Sequence, residues 1–152
     1  MSRVGVRAVV EGSVAEAEEL WYDPQRWASF VDGFHHVVKV EGDWPAAGAH
    51  AVWNSTPAGR GRVSERVTEH AAGVGQEISF EDPRMRGTQR VAFVAVEDGT
   101  EVRLELRYEL KQRNPLTPLV DVLFIRRALR DSLRRTLARF ARERRADHEL
   151  LR

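Results

Sequence analysis

Arg126 sits seven positions after Leu119 and seven before Leu133, inside a run of apolar residues at helical spacing. A guanidinium there must snorkel to solvent, pair with a carboxylate, or meet an anionic group of a ligand. Arg130 lies beside the same stripe. Glu65 is the carboxylate that could answer such a cation: Val63, Glu65 and Val67 alternate with Arg62, Ser64 and Arg66, so the two sets occupy opposite faces of a strand. With the valines inward, Glu65 becomes a desolvated acid whose pKa rises, a general acid or base. With the parity reversed it is a surface residue. The loop Pro57-Ala58-Gly59 leaves both open, because a two-residue turn puts Asn54 opposite Val63 and a three-residue loop puts Trp53 there.

Tyr108 and Gln89 form a second pair. Asp98-Gly99 is a type I′ hairpin signal that sets Phe93 opposite Leu104 and Gln89 opposite Tyr108, so both polar groups enter one largely apolar face. Each can hydrogen-bond a hydroxyl or carbonyl. Trp53, Phe80 and Phe93 read as cavity wall or core. Of the five histidines only His36, sharing a face with Phe34 and Val38, reads as a pocket group; His35 points the other way. None has metal-ligand spacing, and no Gly-x-Ser-x-Gly, phosphate loop or dinucleotide fingerprint occurs. The expectation is no metal and no cofactor.

These side chains are positioned by a readable order of elements. Residues 3–11 alternate as a half-buried strand. Ser13-Val14-Ala15-Glu16 is a capping box opening a helix that carries Val14, Ala17 and Trp21. Asp23-Pro24 then reads as cap and first position of a second short helix with Trp27, Phe30 and Val31. Candidate strands follow at 34–41, 49–56, 60–69, 75–81, 86–97 and 100–111, separated by glycine, proline and aspartate turns. A long helix starts at the cap Thr117-Pro118 and runs to about Arg145, with Leu119, Val122, Leu123, Leu129, Leu133, Leu137 and Phe140 in one stripe. The pattern predicts an α+β fold in which a curved antiparallel sheet of about seven strands wraps a long C-terminal helix, with two short helices after the first strand.

With 24 basic and 23 acidic residues in 152, 42% hydrophobic, the chain has the balance of a globular domain, and residues 1–152 read as one unit. It has no cysteine, which excludes disulfides and thiolate chemistry. No apolar run reaches membrane-spanning length and Met1 to Gly12 is no signal peptide, so a cytoplasmic location is expected. The charge is uneven. Residues 126–145 hold nine arginines against Asp131 and Glu143, a net of +7. No aromatic residue alternates with them, so nucleic acid is not the expected partner and a solvated helix face is. Val120 and Phe124 lie off the main stripe beside this basic run, where they form a partner or membrane-surface patch unless a loop or dimer mate covers them.

The stretch Val14-Ala15-Glu16-Ala17-Glu18-Glu19-Leu20-Trp21-Tyr22-Asp23-Pro24, followed by Trp27 and Phe30-Val31, resembles the start of polyketide cyclase/dehydrase-type members of the START and birch-pollen-allergen-like superfamily, also called SRPBCC. Gly99-Thr100-Glu101-Val102 resembles the opening of their last strand, and Asn114-Pro115-Leu116-Thr117-Pro118-Leu119 the turn before their final helix. The resemblance spans the chain but consists of fold markers. It implies a helix-grip fold with a cavity for an apolar ligand between the sheet and the helix.

Joined to the residue reading, this gives a domain that binds a hydrophobic small molecule or lipid between the sheet and residues 118–141. The candidate site is Arg126, Glu65, Tyr108, Gln89, His36, Trp53, Phe93, Leu104, Leu129 and Leu133. A cyclase/aromatase-type enzyme using the same cavity for aldol closure and dehydration stands as the alternative, and a non-catalytic adaptor using the basic helix as a third. A monomer and a homodimer are both compatible with the sequence, as is peripheral membrane contact.

Overall fold

A computed structural model describes residues 1–112 and 119–151. Strand β1 (Ser2–Val10) leads into α1 (Val14–Trp21) and a single helical turn, α2 (Trp27–Phe30). Six strands follow: β2 (Phe34–Glu41), β3 (His50–Ser55), β4 (Arg62–Ala71), β5 (Gly75–Glu81), β6 (Met85–Val96) and β7 (Gly99–Leu110). The chain ends in α3 (Leu119–Leu150). The strands form one antiparallel sheet in the order β1-β7-β6-β5-β4-β3-β2, so the first strand closes onto the last and β2 is the far edge. The three helices cover its concave face, giving the expected α+β helix-grip architecture. The helical cap expected at Thr117-Pro118 and the turn motif beginning at Asn114 lie outside the described residues.

Local chemistry explains the first corner. The Ser13 hydroxyl accepts from the Glu16 N–H at 3.1 Å, and the Ser13 N–H donates to the Glu16 carboxylate at 3.0 Å, the reciprocal capping box. Asp23, by contrast, does not cap α2. Its carboxylate accepts from the Gln25 N–H at 3.0 Å within a turn, and the helix begins only at Trp27, preceded by Arg26 with no side-chain cap. A short aspartate side chain satisfied two residues on is used up before the helix starts.

The β6–β7 register is displaced by two residues from the expected one. Val96 pairs with Gly99, Phe93 with Val102, Gln89 with Leu106, and Gly87 rather than Gln89 faces Tyr108. A type I′ turn at Asp98-Gly99 needs positive φ at both positions, whereas no residue but glycine has positive φ among those described. The turn instead falls on Glu97-Asp98. Gly99 takes φ +147° as the first paired residue, where a Cβ would collide with the Val10 carbonyl. A shift of two preserves facing, so the inward set is unchanged.

Helix α3 is longer than predicted, 32 residues and about 48 Å at 1.5 Å per residue. Its later part is gripped most fully. Leu133, Thr136, Leu137 and Phe140 are buried, and the Phe140 ring meets Trp21 and Phe30 edge-on at 5.3 and 5.2 Å. Polar bonds anchor the far end: buried Arg144 donates to the Glu11 carbonyl and pairs with Glu16, and Arg26 bridges Glu143 and Asp147. At the near end Leu119 and Leu123 are more than half exposed. In these turns Val122 and Ile125 are the half-buried residues that face the sheet, and Leu119 and Leu123 lie to the side of them.

Candidate functional site

A cavity of about 80 Å³ lies between the inner face of the sheet and the helices. Aromatic rings make much of its wall: Trp21, Trp27 and Phe30 from α1 and α2, Phe34 and Trp53 from β2 and β3, and Trp44 from the loop between those strands. Their packing is specific. The Trp27 indole donates to the Trp21 carbonyl at 2.9 Å and meets Trp44 edge-on at 5.4 Å; Trp44 donates to the Tyr22 carbonyl at 3.0 Å. The floor is Ile78, Gln89 and Leu104, and Leu133 closes the helix side.

The register settles the parity of β4. Trp53 pairs with Val63 and Ala51 with Glu65, so Val63, Glu65 and Val67 share the inner face with Trp53. Glu65 lines the cavity. Burial pushes its carboxyl above the usual range, and the nearby Arg60 charge and the Trp53 side chain oppose that only in part.

Arg60 was not visible as a site residue in the sequence, where it is one of many arginines, set between Gly59 and Gly61 in a loop. In the fold it lines the cavity, stacked with its guanidinium carbon 4.9 Å from the Phe80 ring centroid and 5.8 Å from that of Trp53. Its Nε donates to Asp82 at 2.9 Å, and the buried Asp82 carboxylate also accepts from the Arg84 and Met85 N–H groups. The other end of the guanidinium is different: Nη2 is buried and has no hydrogen-bond partner. A buried cationic donor left open beside a desolvated carboxyl is rare and costly.

A second polar group closes the cavity rim. Asp32 accepts from Ser132 at 2.7 Å, from Arg135 at 3.1 and 3.0 Å and from Arg139 at 3.0 Å, while its N–H donates to the Thr136 hydroxyl at 3.0 Å. Burial alone would raise the Asp32 carboxyl; the bonds from Arg135 and Ser132 and the charge of Arg139 outweigh it and hold the group below its usual range. These arginines therefore fasten the α2–β2 loop to α3. Together with Arg144 and Arg145, which pair with Glu16 and Glu11, they take a good part of the basic run into internal contacts.

Of the residues singled out from sequence, Glu65, Gln89, Trp53, Leu104 and Leu133 come together around the cavity. The others do not. Arg126 is exposed, while Ile125 and Leu129 are the residues of those turns that pack against the core. His36 is exposed and faces away from the cavity: a bulge between Phe34 and His36 breaks the alternation, so Val37 packs on the core instead. The His35 and His36 rings lie together at 4.8 Å rather than on opposite faces. Tyr108 is core near the β1 end, its hydroxyl buried without a partner beside Ser2 and Val122. Phe93 packs against Tyr22, and Leu129 against the core, neither lining the cavity. Gln76, buried and donating to the Pro45 carbonyl at 3.1 Å, is a further wall residue that alternation alone did not distinguish from core.

Among the described residues no three His, Asp or Glu side chains gather as a metal site. No helix among them is long and apolar enough to cross a membrane.

Similar structures share this architecture. The di-domain ARO/CYC StfQ from the steffimycin biosynthetic pathway superposes with a TM-score of 0.75 at 15% identity, over 97% of this chain and 51% of that one, so this chain spans about half of it. TTHA0849 from Thermus thermophilus gives 0.71 at 17% identity over 96% and 99% of the two chains. A protein from Rhodobacter sphaeroides gives 0.71 at 15% identity over 95% and 93%. Identities this low carry the fold alone, and no curated protein is significantly similar in sequence. The sequence itself is more specific: residues 1–144, the whole grip from β1 to the anchoring end of α3, match the model of one family. The chain belongs to the polyketide cyclase / dehydrase and lipid transport family, and with it to the SRPBCC superfamily.

Proposed function

We propose that the protein binds a compact, largely apolar small molecule bearing an oxygen acceptor in the cavity between the sheet and α3. One observation carries this reading: the buried Nη2 of Arg60 lacks a partner at the wall of an aromatic cavity. A carbonyl, phenolate or carboxylate oxygen would supply the missing acceptor, and the tryptophan rings would take the apolar body. The volume sets the scale. At about 80 Å³ the cavity falls well below the roughly 300–1,000 Å³ of sites that hold drug-sized ligands. A ring-sized ligand suits it; an extended acyl or polyketide chain requires the Trp27–Trp44–Phe34 wall to move.

The second reading is catalysis in the same place, favoured by Glu65. A carboxyl raised by burial is a better-placed proton donor than an ordinary one, and a neighbouring guanidinium would stabilise an enolate oxygen, the needs of an aldol closure and dehydration. The adaptor reading is weakened by the internal pairing of Arg135, Arg139, Arg144 and Arg145.

The test is titration with 2-naphthol, followed by quenching of tryptophan fluorescence. The expected result is saturable one-to-one binding that Arg60→Met weakens about tenfold or more, the worth of a hydrogen bond to a charged group. Leu133→Trp, which fills the cavity from the helix side, abolishes it. Binding unchanged in both variants removes the reading. Catalysis is distinguished by Glu65→Gln, which leaves binding intact in either case and stops turnover only in the second.

A further inference from the structure

The first turns of α3 carry apolar side chains that no other described residue covers. Leu119, Val120, Leu123 and Phe124 are 71, 73, 54 and 72% exposed, a density of large apolar side chains unmatched elsewhere on the described surface away from the termini. At 100° per residue they occupy the arc from 0° to 140° counted from Leu119, which meets the gripped residues Thr136, Phe140, Leu133 and Leu137, at 260–360°, only at its Leu119 edge. The next two turns carry Arg127, Arg130 and Arg134 within that same arc. Arg130 and Arg134 line a shallow surface groove with Leu123. One acid, Asp131, interrupts them and lies 3.9 Å from Arg134.

We infer that this end of α3 is a docking surface for an anionic lipid bilayer. The order of residue types along the helix selects that occupant. An apolar tip followed by a cationic collar matches the layering of a membrane surface, where acyl chains lie beneath phosphate groups and long arginine side chains reach back to the phosphates. A second protein surface would place no such demand on axial order, and a second copy of this chain would bring arginines against arginines. Of the arginines deeper in the helix, Arg135, Arg139 and Arg144, which pair with Asp32 and Glu16, fall outside this arc, and Arg145, which pairs with Glu11, lies about 27 Å beyond Arg127 along the axis, so the collar stays available while α3 remains docked. Peripheral contact is the only mode this helix supports, since it is neither long nor apolar enough to span.

Co-sedimentation of the full chain with vesicles tests the assignment, using phosphatidylcholine alone and phosphatidylcholine with about one-third phosphatidylglycerol. Binding is expected to the anionic vesicles and not to the neutral ones, and to weaken as salt rises. Arg127→Ala and Arg130→Ala should each lower the partition coefficient about fivefold, and Phe124→Asp should lower it at least as much. Arg127 and Phe124 are exposed and Arg130 is half-buried, so circular dichroism checks the fold of each variant and the Arg127 and Phe124 variants decide if Arg130→Ala unfolds. Failure to bind anionic vesicles overturns the inference, and so does binding that these substitutions leave unchanged. Sedimentation velocity supplies a separate readout: a dimer that Phe124→Asp dissociates would assign the face to a second copy and overturn it equally. Neither outcome touches the cavity, which lies under the later turns of α3.

Discussion

Phe140→Ala tests the grip on which the cavity depends. The ring is fully buried and touches Trp21 and Phe30 edge-on at 5.3 and 5.2 Å, two residues whose other atoms line the cavity. Truncating a buried phenylalanine costs about 3–5 kcal/mol, through lost transfer energy and the hole left behind. Each lost aromatic pair adds about 0.5–1.5 kcal/mol beyond area, which places this site in the upper half of that range, near 4–5 kcal/mol. For a chain of this length each kcal/mol moves the melting temperature by about 2–4 °C, so a fall of roughly 10–15 °C follows. Leu123→Ala is the internal control. It removes an apolar side chain of similar kind from the same helix, but from a position 54% exposed, and should stay within about 0.5 kcal/mol. Urea denaturation of both variants measures the difference. A cost below about 2 kcal/mol for Phe140→Ala, or equal costs for the two, would refute the docking of α3 and with it the placement of the cavity.

Glu65 gives a pH signature: its folded pKa lies above the ordinary 4.5, so the stability it permits is complete below that value and is lost as pH rises through the folded pKa. Glu65→Gln should therefore match the parent near pH 4 and exceed it near pH 7 in urea melts; an equal gap at both pH values contradicts this. Gly99→Ala should destabilise by about 2 kcal/mol, because φ is +147° and the Cβ meets the Val10 carbonyl, and a neutral effect would mean the β1–β7 contact is looser than described.

The sequence carried the element order because each boundary had a chemical marker. Ser13 and Glu16 capped α1, and the turns at Gly42, Gly48 and Asp82-Pro83 separated strands whose alternation was intact. Glu65 was legible for the same reason, as an acid in a valine face whose parity needed only the register of Trp53. The misplaced residues share a different cause. His36 was assigned by strict alternation, which a bulge after Phe34 interrupts. Tyr108 was joined to Gln89 by a turn type that Asp98 does not adopt. Arg126 lies at the edge of the docked stripe, whose centre in those turns is held by Val122, Ile125 and Leu129, and a long side chain at such an edge turns to solvent. Arg60 had no local marker at all, since its partners Asp82, Phe80 and Glu65 come from three later segments of chain.

Stability alone does not account for the Arg60–Glu65 wall. A carboxyl held partly out of water incurs a desolvation cost that its neighbours offset only in part, and an open Nη2 forfeits a hydrogen bond that water would have provided. Filling the same space with apolar side chains of similar volume would be neutral or stabilising by about 1–4 kcal/mol on the pattern of buried ion pairs elsewhere. Arg60 does brace the Asp82 turn through Nε, but that carboxylate already accepts two backbone N–H groups, and the brace leaves Nη2 and Glu65 unexplained. The hydroxyls of Tyr22 and Tyr108 are also buried without a partner, but Arg60 is the charged member of that set and the one that lines the aromatic cavity. Arg60 and Glu65 both line the cavity walled by tryptophan, and the oxygen-bearing guest proposed above would relieve both the unpaired donor and the unfilled space.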